Sequence, residues 1–472
     1  MNIKHKELVI PPDKPFQNCK LGRSKNAEVL TAIVNTYADG FVLAINNKWG
    51  TGKTTFIKMW QQQLENRGYK TLYFNAWEND FESSPLVALM GELKSIIPRN
   101  KTTKTFDKLT QKAGIIAKNI LPTLAAGIAA KYIGSDTIKD LIKATTEAGA
   151  EIFSDEIEKY STKKMGLVEF RETLSKFIAE LKSEKPIIFI IDELDRCRPN
   201  YAVEVLENIK HFFNVPNIVF VLSIDKEQLS HAIRGVYGSE NLDADEYLRR
   251  FIDLEYQIPD PETDGFSEYL YEYFDFNRFF KSALRLNNSE FRNDESTFLF
   301  IAANLFKKET LTLRQQEQIF AYARIVLSTF APKARVHPEI IILLIFFKLT
   351  NVRLFSKIKC KILSIEELNT ELNQVLPNFD TTFDNTHTYF LYAQAKIISL
   401  YSTSLKADSR GLITSIDKTS GEEIFTLRSK YDPDPEGLNY KKNFSELSRH
   451  WNNIGGMDSI LTKISLIDNI VA

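Results

Sequence analysis

The sequence predicts an α/β protein in which a parallel sheet is split by a helical insertion and followed by a mostly α-helical domain. Residues 186–191 are apolar and rich in β-branched side chains, and residues 217–224 repeat that composition, which is typical of parallel strands buried on both faces. Helical patterns with one apolar stripe lie between such runs, and alternating strands and helices build a parallel sheet. Beyond Pro259 the chain is rich in Phe and Leu at helical spacing.

The first β–α–β unit is predicted from the segment around a glycine-containing loop. An apolar run over residues 41–45 leads into that loop, and a helix follows over 54–64 because apolar residues recur there at four-residue spacing. Gly68 stands where a helix end favours glycine, and residues 71–75 are predicted as the second strand.

The remaining strands of the sheet lie further along the chain. A helix whose apolar residues fall on one stripe separates the strands at 186–191 and 217–224. Residues 251–258 supply a fifth strand, which Pro259 ends. The predicted parts of the chain are the first part of the α/β core (1–94), the helical insertion (95–164), the second part of the core (165–261) and the helical C-terminal domain (262–472).

The insertion opens with a basic cluster and ends with acidic residues in an Ala-rich, helix-like composition. The basic cluster indicates either a solvated helix face or a surface for an acidic partner. Apolar stretches at 113–134 and 340–347 fall short of the roughly 20 uninterrupted residues that a membrane helix needs. We therefore predict no transmembrane segment and expect helix faces packed against protein, with an interfacial role for the first stretch left open.

Composition argues against several classes of protein. The 472 residues carry a formal net charge of −1, with 43% hydrophobic and 26% charged residues, which argues against a protein that coats nucleic acid. Cys19, Cys197 and Cys360 show neither CxxC nor Cys/His spacing, so neither a disulfide framework nor a zinc site is indicated. The first residues lack the apolar run of a signal peptide, and we expect a cytoplasmic protein.

Residues 46–55, NNKWGTGKTT, lie between a predicted strand and a predicted helix. The pattern predicts a phosphate-binding loop in which backbone N–H groups and a helix N-terminus surround a phosphate. Gly50 and Gly52 allow close approach of the backbone. Lys53 reaches the β- and γ-phosphates, and the Thr54 hydroxyl holds Mg²⁺. The predicted nucleotide-binding residues of the loop are Trp49, Gly50, Thr51, Gly52, Lys53, Thr54 and Thr55.

One residue departs from the phosphate-loop motif G-x-x-x-x-G-K-[ST]. Asn47 stands in place of the first glycine. Because Asn tolerates the left-handed backbone conformation better than most residues, we expect the replacement to preserve the loop. The affinity of the loop for phosphate stays open.

An acidic pair, Asp192 and Glu193, follows the strand at 186–191 and opens the segment DELDR. Ligands bind at the carboxyl edge of an open parallel sheet, so we expect Asp192 to hold Mg²⁺ and Glu193 to polarise the attacking water. Two adjacent acids separate water-activating NTPases from most small-molecule kinases, which need no such base. The alternative is a helix N-cap with an acidic first turn.

Further polar positions are candidates for contacting phosphate charge. Ser223 or Asp225, where the strand at 217–224 ends, could sense the γ-phosphate, or could cap the next helix. Arg250 could neutralise transition-state charge on the nucleotide of a neighbouring copy, or form a surface ion pair. Arg314, in LTLRQQEQ, could sense nucleotide or lie on a helix surface. The predicted catalytic residues are Lys53, Glu193 and Arg250.

Five segments carry a family resemblance: FVLAINNKWGTGKTTF (41–56), FNAWEND (74–80), PLVALMGEL (85–93), IIDELDRCRP (190–199) and YLRRFIDLEYQIP (247–259). Together they resemble the KAP family of P-loop NTPases over residues 11–261. The resemblance implies a P-loop core of the additional-strand type, ATP with Mg²⁺, and an insertion that in many members holds transmembrane helices. LTLRQQEQ resembles the segment after the family's core, which favours Arg314. The chain is most similar to bacterial and prophage members, some of which are ATPase subunits of phage-defence operons.

We therefore expect a cytoplasmic ATPase whose nucleotide cycle switches the shape or assembly of a protein complex, in bacterial antiviral defence. Its expected partners are operon-encoded subunits or further copies of the chain. A nucleotide-gated scaffold with little hydrolysis is the alternative, motivated by Asn47. A nucleic-acid remodelling motor is least favoured, because the net charge is near zero and no base-stacking module is recognisable.

Overall fold

The chain divides into two compact units, Met1–Pro261 and Glu262–Ala472. The computed structural model describes residues 8–37, 40–82, 84–97, 104–119, 148–238, 240–259, 265–308, 311–331, 333–379, 386–405, 413–416, 423–448 and 456–466. The elements of the first unit are α1 (Ser24–Thr36), β1 (Phe41–Asn46), α2 (Lys53–Asn66), β2 (Thr71–Asn75), α3 (Pro85–Ser95), α4 (Lys104–Asn119), α5 (Ala148–Glu180), β3 (Ile187–Asp192), α6 (Pro199–Phe212), β4 (Ile218–Ile224), α7 (Lys226–Tyr237), α8 (Ala244–Leu248) and β5 (Leu254–Gln257).

The first unit is built on a five-stranded sheet in the order β2-β3-β4-β1-β5, with every pair of neighbours parallel. β3 and β4 are buried along their whole length, because apolar side chains point to both covered faces. The predicted α/β class is confirmed, and β4 is the additional strand between β1 and β3. β5 is shorter than predicted, since residues 251–253 lead into it without strand structure and the strand ends at Gln257.

Two hydrophobic clusters cover the faces of this sheet. On one face, Trp60 of α2 and Ile190 of β3 belong to one buried cluster, and the Trp60 Nε1–H donates to the Thr31 hydroxyl at 3.0 Å. On the other face, Phe170 of α5 lies edge-on to Phe212 of α6, with ring centroids 6.0 Å apart. The sheet is therefore the middle layer of three, and its carboxyl edge is held in place from both sides.

The described part of the predicted insertion packs on the core of the first unit. Leu109 and Ile116 of α4 belong to the same buried cluster as the sheet. α5 is one continuous helix, so the boundary predicted at 164/165 falls inside a helix. Residues 120–147, which include most of the apolar stretch at 113–134, lie outside the described residues.

The second unit is mostly helical, as predicted. Its elements are α9 (Phe266–Tyr273), α10 (Asn277–Phe280), α11 (Ala283–Leu286), α12 (Asp294–Lys308), α13 (Leu313–Ser328), α14 (Pro338–Thr350), α15 (Val352–Lys359), α16 (Ile365–Val375), α17 (Thr386–Ser404), β6 (Thr414–Ile416), β7 (Glu423–Phe425), α18 (Leu438–Ser448) and α19 (Met457–Ser465). β6 and β7 form a small antiparallel hairpin that the sequence did not predict.

The apolar run at 340–347 lies in α14, and each of its residues is buried. Helices α12, α13, α15, α17 and α19 pack around it, which explains a helix that is apolar on every side. Among the helices that the structure describes, none combines the length and apolarity that crossing a membrane requires.

Candidate functional site

The segment between β1 and α2 is a tight loop. Gly50 and Gly52 adopt φ angles of 76° and 79°, which glycine adopts without strain. The Thr51 hydroxyl donates to the Lys48 carbonyl oxygen at 2.8 Å and closes the loop. Because α2 begins at Lys53, its first N–H groups and the positive end of its dipole lie at the end of the loop, where they attract an anion.

The Lys53 side chain folds back over this loop. Its ammonium group donates to the carbonyl oxygens of Asn47 and Lys48, the latter at 3.2 Å. Burial lowers the pKa of Lys53, and the nearby carboxylates, Asp195 foremost, raise it. The Lys53 ammonium is thus partly desolvated and bonded to uncharged carbonyl oxygens in this loop. A charged phosphate oxygen accepts a stronger hydrogen bond than a carbonyl oxygen does.

Arg23, which sequence reasoning missed, supports the loop from its carbonyl side. Its Nη1 donates to the Thr51 carbonyl oxygen at 2.8 Å and to that of Gly52 at 3.4 Å, and the residue is 2% exposed. Each carbonyl shares a peptide unit with the N–H of the following residue, so the arginine polarises N–H groups of the loop. A single arginine ahead of an amphipathic helix gives no sequence signal of this role.

Asn47 replaces the motif glycine without backbone strain. Its φ is not positive, so the residue does not use the left-handed conformation that Asn tolerates. Both its backbone N–H and its side-chain amide are hydrogen-bonded to the ends of neighbouring strands. The backbone N–H donates to the Ile224 carbonyl oxygen at 3.1 Å, and Nδ2 donates to that of Ile258 at 3.2 Å. Asn47 therefore ties the loop to the ends of β4 and β5.

β3 delivers Asp192 to the carboxyl edge of the sheet. Asn75 of β2 and Ser223 of β4 are its register partners on either side. The Tyr73 hydroxyl donates to Asp192 Oδ2 at 3.0 Å, and the Glu193 N–H donates to Oδ1 at 2.9 Å. These bonds fix a carboxylate that is 1% exposed, and a fixed carboxylate is a suitable ligand for Mg²⁺.

Glu193 has a left-handed backbone, with φ of 60°, a conformation that is uncommon for a non-glycine residue and is over-represented at functional sites. Asn75 Nδ2 donates to its Oε2 at 3.2 Å, and Arg196 Nη1 lies 2.8 Å from its Oε1. Burial raises the pKa of Glu193, which the Arg196 charge opposes. Its side chain does not cap the short 3₁₀ turn Leu194–Arg196, which disfavours the helix-cap alternative. Sequence reasoning missed Asn75, whose place at a strand end was the available signal.

The end of β4 carries two polar residues in different environments. Asp225 caps α7, because its Oδ1 accepts from the Gln228 N–H at 3.3 Å, and its Oδ2 accepts from the Trp49 N–H at 3.1 Å. The Ser223 hydroxyl is fully buried and has no hydrogen-bond partner in the described part of the chain. A buried hydroxyl without a partner costs free energy and is expected where a ligand completes a site.

These residues lie in a part of the chain that a family model covers. The KAP family P-loop domain matches residues 23–369. The chain belongs to the KAP family of P-loop NTPases. The match begins at Arg23 and continues into the second compact unit.

A curated relative of this KAP-family chain is the phage T7 exclusion protein of Escherichia coli (strain K12). The two are 24% identical over 248 residues, which is 47% of this chain and 30% of the relative, so the chain spans less than a third of that protein.

Among solved structures, the chain is similar to the ORC2 protein of Aeropyrum pernix in its ADPNP-ADP complexes, at 14% identity and a TM-score of 0.33 over 93% of this chain and 97% of the other. It is also similar to a DNA replication initiation factor, at 12% identity and a TM-score of 0.26 over 93% and 99%. With TM-scores this low, family membership rests on the sequence match.

The two arginines predicted to act on nucleotide, Arg250 and Arg314, are exposed. Arg250 precedes β5, where the Asp253 N–H donates to the Val42 carbonyl oxygen at 3.0 Å. This contact is at the start of β1, whereas the phosphate loop follows its end, so Arg250 lies at the opposite edge of the sheet from the loop of its own chain. Arg314 lies in the first turn of α13 in the second unit. The roles of both remain predictions.

A divalent cation fits this KAP-family site together with phosphate. In the ranges that the structure describes, no three His, Cys, Asp or Glu side chains converge on a metal position. Thr54 and Thr55 lie in the first turn of α2, and Asp192 ends β3. A hydroxyl and one fixed carboxylate suit Mg²⁺, which proteins bind through one or two carboxylates completed by substrate phosphates and water.

Proposed function

We propose that this KAP-family chain binds ATP with Mg²⁺ in the loop between β1 and α2 and hydrolyses it, and that the cycle acts as a switch or assembly factor in a protein complex. The proposal is carried by the convergence of four groups at one sheet edge. They are the Lys53 ammonium, the fixed Asp192 carboxylate, Glu193, and the Ser223 hydroxyl, which has no partner among the described residues. A phosphate loop alone supports binding, and the second acid adds a base for water.

Each group has a role that its contacts support. The N–H groups of the loop would bind the β- and γ-phosphates. The Lys53 ammonium would bind them too, exchanging its present bonds to loop carbonyl oxygens for bonds to phosphate oxygens. Thr54 and Asp192 would hold Mg²⁺, which neutralises phosphate charge when bound. The Ser223 hydroxyl would find a partner among the γ-phosphate oxygens.

Glu193 would act as the base in hydrolysis. The water oxygen bonds to the γ-phosphorus while the bond from that phosphorus to the β–γ bridging oxygen breaks. The bridging oxygen keeps the electron pair and leaves on ADP. The Glu193 carboxylate accepts a proton from the water and later returns it to phosphate or solvent, and Asn75 positions that carboxylate through its 3.2 Å hydrogen bond.

The biological setting is proposed from the curated relative. The name phage T7 exclusion protein supports bacterial antiviral defence, and with it a cytoplasmic location. Because the chain spans 30% of that relative, its partners are proposed separately, as operon-encoded subunits or further copies of the chain. A net charge of −1 favours protein partners over nucleic acid.

A nucleotide-gated scaffold with little hydrolysis is the second candidate function. One observation favours it: the proposed base, Glu193, is held by the Arg196 guanidinium at 2.8 Å. A carboxylate in an ion pair polarises water less effectively than a free one.

Nucleotide binding and phosphate release by the purified full-length chain test the proposal. Lys53→Ala is expected to lose ATP binding, and Glu193→Gln to keep it while turnover falls about 100-fold or more. Glu184→Gln, which changes an exposed glutamate before β3, is the matched control and should behave as wild type. Absence of ATP binding by the wild type, or full turnover in Glu193→Gln, would overturn the proposal. ATP binding without turnover would favour the scaffold.

A further inference from the structure

Arg196 lies between two exposed tryptophan rings beside the candidate site. Its guanidinium carbon is 5.9 Å from the ring centroid of Trp49 and 5.7 Å from that of Trp77. Both distances are within the roughly 6 Å at which a ring face attracts a cation. Trp49 belongs to the phosphate loop and Trp77 follows β2, so the guanidinium connects these two segments.

Trp49 is in turn bonded to two acidic residues of the site. Its indole N–H donates to Asp195, and its backbone N–H donates to Asp225 Oδ2 at 3.1 Å. Because Trp49 belongs to the loop, a movement of the loop moves its ring. This ring is one of the two that attract the Arg196 guanidinium.

The same guanidinium holds Glu193. Arg196 Nη1 is 2.8 Å from Glu193 Oε1, while Oε2 accepts from Asn75. The side chains of this ion pair are 30% and 14% exposed, so water and salt screen it less than they screen an open surface pair. Both oxygens of the proposed base are therefore engaged by neighbouring side chains.

Arg196 shares the site with a second cation, the Lys53 ammonium. The positive charges of the two groups repel each other, and an anion that reaches both would be attracted by both. A guanidinium presents a planar fork of donors that matches two phosphate oxygens. The terminal phosphate of a nucleotide would therefore compete with Glu193 for Arg196.

We propose that Arg196 is the residue by which this site distinguishes a nucleoside triphosphate from a diphosphate. Arg196 holds Glu193 when a diphosphate or no nucleotide is bound, and it transfers its contact to the γ-phosphate of a triphosphate. The transfer releases Glu193 to accept a proton from water. Arg196 thus contacts the γ-phosphate and also positions Glu193, and this role rests on the proposed nucleotide site and deepens it.

Affinities for ADP and for AMP-PNP, a triphosphate analogue that is not hydrolysed, test this role in the full-length chain. Arg196→Gln is expected to weaken AMP-PNP binding about tenfold to hundredfold, because a charge-assisted contact is lost, and to change ADP binding about twofold at most. Arg196→Lys keeps the charge without the fork and should fall between. Arg198→Gln is the matched control, since Arg198 pairs with Asp80 at 2.6 Å, and should bind both nucleotides as wild type does.

Tryptophan fluorescence emission reports a response to nucleotide that a purely structural role of Arg196 would not produce. In the wild type, AMP-PNP is expected to produce a change in emission beyond the one that ADP causes through the Trp49 loop, because only the triphosphate draws Arg196 away from Trp49 and Trp77. Arg196→Gln should lose this response, and Trp77→Phe should reduce it.

The outcomes separate this inference from the proposed function. If the wild type binds neither nucleotide, both are overturned. If both nucleotides bind but Arg196→Gln weakens them equally, or if ADP and AMP-PNP change the wild-type emission alike, only the role of Arg196 is overturned. Normal ADP binding by Arg196→Gln shows that this variant is folded.

Discussion

Replacing Ser223 by Ala is predicted to stabilise the nucleotide-free protein and to weaken its response to nucleotide. The Ser223 side chain is 0% exposed and its hydroxyl has no partner among the described residues, so folding removes its water without replacing it. An unsatisfied buried polar group costs about 1–3 kcal/mol. Alanine removes that cost but leaves a space the size of one oxygen atom, whose lost packing offsets part of the gain. We expect a net gain in the free energy of unfolding of about 1 kcal/mol.

Thermal unfolding of the full-length chain with and without AMP-PNP measures this effect. In a unit the size of Met1–Pro261, a gain of about 1 kcal/mol raises Tm by about 2–4 °C. AMP-PNP should raise the Tm of the wild type more than that of Ser223→Ala, because bound nucleotide supplies the hydroxyl with a partner only in the wild type.

Thr31→Val is the control for a satisfied hydroxyl in the same unit. The Thr31 hydroxyl accepts from the Trp60 Nε1–H at 3.0 Å and donates to the Ala27 carbonyl oxygen at 2.7 Å. Its removal should lower the free energy of unfolding by about 1–2 kcal/mol. A comparable loss of stability in Ser223→Ala would refute the reasoning, because it would mean that the Ser223 hydroxyl is already hydrogen-bonded.

Other contacts give three more tests. Asn75→Ala removes a donor to the proposed base and should lower kcat about tenfold while the Kd for ADP and AMP-PNP stays unchanged; an unaltered kcat would contradict this. Arg23→Met withdraws a buried cation from the loop carbonyls and should weaken ADP and AMP-PNP binding alike by about tenfold in calorimetric titration, so a loss confined to AMP-PNP would contradict it. In the second unit, Glu339→Gln leaves Lys396 without its buried partner and should cost about 3–5 kcal/mol in urea unfolding. The more exposed pair removed by Glu371→Gln should cost about 1 kcal/mol or less, and equal costs would count against this reasoning.

The strands were predictable because burial on both faces selects apolar, β-branched residues within a short segment. The runs at 186–191 and 217–224 correspond to β3 and β4 within a residue. The hairpin of β6 and β7 was not predictable, because strands of three residues are too short to show a period. The continuity of α5 was missed because a change in composition near residue 164 suggested a boundary where the helix in fact continues.

The candidate site was predictable where its residues belong to a contiguous motif and unpredictable where they meet across the fold. Lys53 begins the helix after β1, Asp192 ends β3 and Glu193 follows it, and the parallel sheet brings the acidic pair and Ser223 to one edge. Asn75 reaches Glu193 across 118 residues of chain, and no local pattern encodes that contact.

The sequence by itself determined the α/β class, the phosphate loop and the acidic pair at the end of β3, because each depends on residue types within one short segment. Only the tertiary structure decided how these groups are bonded. The order of the strands places β2, β3 and β4 side by side. In the packed fold the Ser223 hydroxyl has no hydrogen-bond partner among the described residues, Asn75 is bonded to the Glu193 carboxylate, and Arg196 lies near the rings of Trp49 and Trp77. Hydrogen bonding and charge pairing depend on atoms within a few ångströms, and the neighbours that supply those atoms are chosen only when distant segments pack together.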